Sequence, residues 1–131
     1  MPTSIGEIIM ARATMFEVVH HALTTTYPAD LVKDVAADVL AIPVTHPLVS
    51  KTTGADAEAL TLANGLPGQS LIITLAVDGG GTGTLTPATS TFWSTIAFAD
   101  AGDQATLLYI DDTLGWVIVG VFGLTAQPTV A

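Results

Sequence analysis

The sequence predicts a mainly β protein, a compact antiparallel β-sandwich or jelly-roll-like domain carried behind an N-terminal arm. Three observations lead there. Beyond Lys51 the chain breaks into apolar runs of about five to seven residues with turn chemistry roughly every ten, the rhythm of sandwiches and small barrels. Several runs alternate, as in Leu60-Thr61-Leu62 and in Phe92-Trp93 leading to Ile96 and Phe98, which places every second side chain on one face. The 131 residues include no cysteine, so packing must hold the domain without disulfides or thiolate metal sites.

Taken in order, residues 1–28 read as the arm and residues 29–131 as the β domain with a short C-terminal tail. In the arm, Ile5, Ile8, Ile9 and Met10, then Met15, Phe16, Val18 and Val19, fit a helix and a strand equally well. Tyr27-Pro28-Ala29-Asp30 is a break, because proline lacks a donor and biases its predecessor towards extended backbone. Leu31–Leu40 has the pattern of a short helix. Ala41–Ser50 is β-branched but holds Pro43 and Pro47, which suits an edge strand or an extended arm.

The later runs are Ala57–Leu62, Leu71–Val77, Thr82–Leu85, Phe92–Phe98, Ala105–Ile110 and Trp116–Phe122. They nominate Leu60, Leu62, Leu71, Ile73, Leu75, Leu85, Ile96, Phe98, Leu107, Tyr109, Trp116 and Ile118 as the core. No tandem repeat is visible. Thr125–Ala131 has the look of a frayed tail or a short swapped segment.

Only 11% of the residues are charged, against roughly 25% in typical soluble domains. Thr, Ser and Gly cover the surface instead, leaving weakly polar area that a subunit or partner can bury. Twelve acidic residues face three basic ones, Arg12, Lys33 and Lys51, for a net charge of −9. Binding to phosphate backbones needs clustered Lys and Arg, so nucleic acid is not an expected partner. The mean hydropathy is +0.60, yet the longest apolar runs fall short of the roughly 20 residues a spanning helix needs, so no membrane association is expected. Nor does MPTSIGEIIMAR read as a secretory leader, having no basic stretch ahead of an apolar one.

No chemistry-bearing motif in the chain rises above a structural explanation. Asp78-Gly79-Gly80-Gly81-Thr82-Gly83-Thr84 lacks the lysine of a phosphate loop and runs on as strand-like sequence, which fits a flexible hairpin. His20 and His21 are adjacent and point to different faces, and His46 is remote, so no metal-ligand spacing is present. Asp100 with Asp103 and Asp111 with Asp112 are paired carboxylates, for which turn formation is the commoner role. No Gly-x-Ser-x-Gly or Ser-x-x-Lys occurs. The expectation is a non-enzyme with no catalytic residues, no cofactor and no metal.

The order Thr61-Leu62-x-Asn64-Gly65-x-Pro67-Gly68-Gln69, then Gly83-Thr84-Leu85-Thr86-Pro87, Gly102-Asp103 and Gly115-Trp116-x-Ile118-Val119-Gly120, resembles the small β domains of tailed-bacteriophage head decoration (cement) proteins and fibre-like virion proteins. It spans about residues 44–122. The resemblance implies a homotrimer on the outer capsid surface, made in the host cytoplasm, that ties neighbouring capsomers of the major capsid protein together. On that reading Ile8, Ile9, Met10, Met15 and Phe16 are candidate capsid contacts, and Phe92, Trp93, Val121 and Phe122 candidate trimer contacts. The alternative is a fibre, spike or other appendage module, with an exposed Trp93 stacking on a sugar.

Overall fold

The computed structural model describes residues 30–131. Ten strands form, and no helix occurs among these residues: β1 (Val32–Val35), β2 (Ala41–Ile42), β3 (Leu48–Thr52), β4 (Glu58–Leu62), β5 (Ser70–Val77), β6 (Gly83–Pro87), β7 (Ile96–Phe98), β8 (Gln104–Tyr109), β9 (Trp116–Phe122) and β10 (Thr129–Val130). They make two five-stranded sheets, β1-β3-β5-β8-β9 and β10-β7-β6-β4-β2. Inward side chains of both sheets merge into one core, so the mainly β sandwich is as the sequence predicts.

The connectivity is less conventional. The first six strands change sheet at every step, and within each sheet they are parallel: β1, β3 and β5 in one, β2, β4 and β6 in the other. The chain therefore winds through three coils of a small two-sheet solenoid. Val32 pairs with Leu48 and Leu48 with Ile72, advances of 16 and 24 residues, so successive coils differ in length. From β7 onward the pairing turns antiparallel, with β7 on β6, β8 on β5, β9 on β8 and β10 on β7. The antiparallel expectation thus holds for the second half and is corrected for the first.

Eleven of the twelve nominated core residues are buried, and Ile118 packs half-buried against them. Val35, Ile42, Val49, Trp93 and Ala105 join them. Leu31–Leu40 does not form a helix, because β1 lies in register on β3 and a turn follows. Ala41–Ser50 is not one edge strand either. Pro43 and Pro47 sit in the bend between β2 and β3, where no ladder donor is needed, and β3 runs between β1 and β5 inside its sheet. The tail is not frayed: β10 pairs with β7, and the Ala131 amide donates to Thr95 O at 3.0 Å.

The corners of successive coils stack directly. Gly81 N donates to Gly54 O at 2.9 Å and Thr53 N to Val77 O at 3.0 Å. A Cβ at Gly79 or Gly81 would overlap the carbonyl oxygens of Thr53 and Asp56. The glycine run is thus a corner crossing from β5 to β6, not a hairpin, and its glycines are there for close approach.

Beneath these corners Lys51 is buried. Its Nζ donates to Ala36 O at 2.8 Å and Val39 O at 2.7 Å and pairs with Glu58 Oε1 at 2.8 Å, which uses all three ammonium protons. Glu58 also accepts from Asp38 N at 3.2 Å and from Gly54 N at 2.5 Å. Burial pushes the Glu58 carboxyl up, but the bonds from Lys51 and Gly54, with the lysine charge, outweigh it and hold the group below its ordinary 4.5.

Three outcomes follow for denaturant unfolding. Lys51→Met strands the Glu58 carboxylate and two carbonyls, and costs about 3–5 kcal/mol. Gly81→Ala forces the stacked corners apart at about 2–3 kcal/mol, whereas Gly120→Ala, with open space around its Cβ, stays within about 0.5 kcal/mol. Because Glu58 takes up a proton more readily when unfolded, its contribution is present above about pH 4.5 and is lost as the pH falls through the lower folded value. Glu58→Gln flattens that acid limb of stability against pH.

Candidate functional site

Strand register decides which residues face solvent. On the β1-β3-β5-β8-β9 sheet one outward row is Val32, Leu48, Ile72, Thr106 and Gly120, and the next is Asp34, Ser50, Thr74, Gln104 and Phe122. On the other sheet the outward residues are Ala41, Ala59, Thr61, Thr84, Thr86, Ala97 and Thr129. Across both faces one charge appears, Asp34, at an edge strand. Asp30, Asp38, Asp56, Asp78, Asp100, Asp111 and Asp112 all lie outside the strands. Among the described residues most of the acidity thus lies outside the strands, and Asp34 is the one charge in the outward rows.

A depression of about 350 Å³ lined by Lys33, Asp34, Val35, Ala36, Val39, Ala41 and Pro43 lies along β1 and β2, and two further features lie at the ends of β9. Near the far end of β9 a groove of about 220 Å³ is lined by Gln104, Thr106, Gly120, Val121 and Phe122. Its position follows from sequence: Gly120 has no side chain, and nothing lies within 4 Å of where a Cβ would stand. Val119 is the extra residue of a bulge there, between the Gly120–Thr106 and Ile118–Leu107 pairs, which bends the edge strand.

At the opposite end of β9, the loop from β6 to β7 carries Phe92, fully exposed and at φ 71°. Left-handed backbone in a residue with a bulky Cβ costs about 1–2 kcal/mol. Its neighbours are pinned on both sides. Ser90 Oγ donates to Trp93 O at 2.6 Å, Thr91 Oγ1 to Leu114 O at 2.7 Å, and Trp93 Nε1 to Trp116 O at 2.9 Å. Trp116 itself donates through Nε1 to Ala63 O at 2.9 Å and stacks edge-on with Tyr109 at 5.2 Å. Leu66 and Leu114 are further exposed apolar residues in loops at this end.

Of the residues the sequence nominated for trimer contacts, Phe92 and Phe122 are exposed and Val121 is half-buried beside the groove. Trp93 is 7% exposed and belongs to the core, so it offers neither a subunit contact nor a sugar-stacking face. Ile8, Ile9, Met10, Met15 and Phe16 lie outside the described residues. Gly120 and the pinning pair Ser90 and Thr91 escaped the sequence reading. A glycine inside an apolar strand run is the signal that could have found the groove.

The remaining polar candidates serve turns. Asp78 Oδ1 accepts from Gly80 N at 2.8 Å, Asp103 Oδ2 from Ala99 N at 2.9 Å and Asp100 N at 3.0 Å, and Asp111 Oδ1 from the amides of Thr113 at 2.9 Å and Leu114 at 2.7 Å. Asp112 accepts from the Tyr109 hydroxyl. His46 bonds Thr45, and among the described residues no group of three or more His, Asp or Glu is placed to hold a metal ion. Comparison of the sequence with protein-family models and with curated proteins returns no match.

Phe92→Gly relieves left-handed strain of about 1–2 kcal/mol at an unfolded-state entropy cost of about 0.5–1 kcal/mol. At a dilution where both are monomeric, the variant therefore unfolds at an equal or higher temperature than the parent, followed by circular dichroism. Burial, with the bond to Asp112, pushes the Tyr109 hydroxyl up to about 12. The unfolded chain ionises near the ordinary 10, so stability contributed by Tyr109 is intact below that pH and lost as the pH rises towards 12. Ultraviolet titration reads a late phenolate, and Asp112→Asn moves it earlier.

Proposed function

We propose that this chain is a structural virion protein, a homotrimeric decoration or cement protein on the outer capsid surface of a tailed bacteriophage. In this role it clamps adjacent capsomers and stabilises the shell, with the major capsid protein and its own copies as partners. The observation that carries the reading is the scarcity of charge on both sheet faces, Asp34 alone excepted, in a chain of net charge −9. Faces rich in Ala, Thr, Leu and Ile with a single charge can be covered by another protein with little desolvation loss, whereas acidic loops repel nucleic acid and keep free subunits soluble.

Further support comes from the phage-like order of motifs. Its Gly-Trp-x-Ile-Val-Gly stretch, Gly115–Gly120, builds the edge strand and groove, and its Gly-Thr-Leu-Thr-Pro stretch is β6 itself. A glycan-binding appendage is the weaker alternative, since the tryptophan that would stack on a sugar is buried. As a clamp the protein needs no reacting group; it acts by burying area on two capsomers at once, so that shell disassembly must first break those contacts.

The test is capsid stability. Added to decoration-free heads of its phage, the protein is expected to bind in multiples of three and to raise the temperature at which the shells rupture, followed by light scattering and particle counting. Heads that neither bind it nor gain heat resistance refute the role.

A further inference from the structure

The strained, fully exposed Phe92 and the open groove over Gly120 stand apart on the same chain. Phe92 is held at the Trp116 end of β9, whose other end reaches the groove at Gly120–Phe122. Strands rise about 3.3 Å per residue, so the two features stand roughly 15–20 Å apart. The loop cannot swing across, because hydrogen bonds from Ser90, Thr91 and Trp93 pin it. A bulky residue kept in left-handed backbone with its ring in solvent contributes nothing to its own core. Such outliers persist where the strain positions a group for a partner.

The groove suits an aromatic ring in size and character. Its volume is about 220 Å³, and an apolar cavity of roughly 150 Å³ accommodates benzene. Its lining has no charge: Val121 and Phe122 supply apolar walls, and Gln104 and Thr106 a neutral polar rim. In a chain of net charge −9, uncharged places of this kind let two copies meet with little repulsion.

We propose that Phe92 of one copy seats in the Gly120 groove of the next copy of the same chain. Each subunit then gives one ring and receives one through two different patches, a heterologous contact that closes into a ring under threefold symmetry. The inference rests on the self-assembly reading above and supplies its contact: Phe92 as the anchor, Gly120 as the space it fills, and Val121 and Phe122 as the walls. Trp93 acts behind the interface by holding the loop in place.

Light scattering across a wide concentration range, on the full chain, tests it with two variants that keep the fold. Phe92→Gly removes the ring while relieving its backbone, and Gly120→Leu fills the groove where nothing would clash with the added Cβ. The parent is expected at about 40 kDa, three chains of 13.4 kDa. Each variant is expected to need at least about tenfold higher concentration to assemble, the loss of one anchor per contact. Circular dichroism like the parent's, with melting of the dilute monomer no lower than the parent's, shows that the monomer is intact. Mixing the two variants joins one intact ring to one intact groove, so it yields at most a two-chain species of about 27 kDa. A trimeric parent whose variants assemble equally well overturns this contact and leaves the trimer standing. A parent that stays monomeric throughout overturns both.

Discussion

Three segments far apart in sequence converge on the Lys51 ammonium group: the corner at Ala36–Val39, strand β3 that carries it, and Glu58 at the start of β4. A buried ion pair gains stability only when geometry and further hydrogen bonds offset desolvation. Here both partners are saturated, Glu58 taking two backbone amides besides the lysine. The pair therefore acts as a registry device, fixing which corner of the first coil lies against the second. Apolar contacts alone would tolerate a two-residue slip between coils, which keeps the inward face; an unsatisfied ammonium would not.

That registry propagates to the surface. With the first coil locked on the second, Val35 and Val49 point inward and Val32 and Leu48 outward, and the stacked corners pass the same phase to the third coil. The antiparallel strands β8 and β9 inherit it by pairing on β5, which is how Thr106, Gly120 and Phe122 come to share one face. A one-residue slip would exchange the faces and bury Thr in place of Leu. The outward rows and the groove thus share one register with the strand that carries the buried Lys51.

The pattern of core residues was legible because alternation is a local signal: Leu60 and Leu62, or Leu71, Ile73 and Leu75, announce an inward face from sequence alone. Solenoid winding was not legible. Its coils advance by unequal lengths, so no repeat shows, and parallel neighbours separated by 16 to 25 residues leave no local trace. The short helix expected over Leu31–Leu40 failed for the same reason, since β1 exists only through its pairing with β3. Of the candidate site, Phe92, Val121 and Phe122 were legible as apolar residues in excess. Trp93 was misjudged because period-two spacing cannot assign a face to residues in a loop with left-handed backbone.

Composition and periodicity by themselves determined that this is a β protein, where most of its core lies, and that its surface is acidic yet poor in charged residues. These are properties of single residues and their near neighbours. Tertiary structure alone decided that Lys51 is buried and paired, that the glycine run is a stacked corner, that Trp93 is core while Phe92 projects, and that Gly120 opens a groove. Each of those depends on contacts between segments distant in the chain, and no local pattern encodes which distant segment arrives.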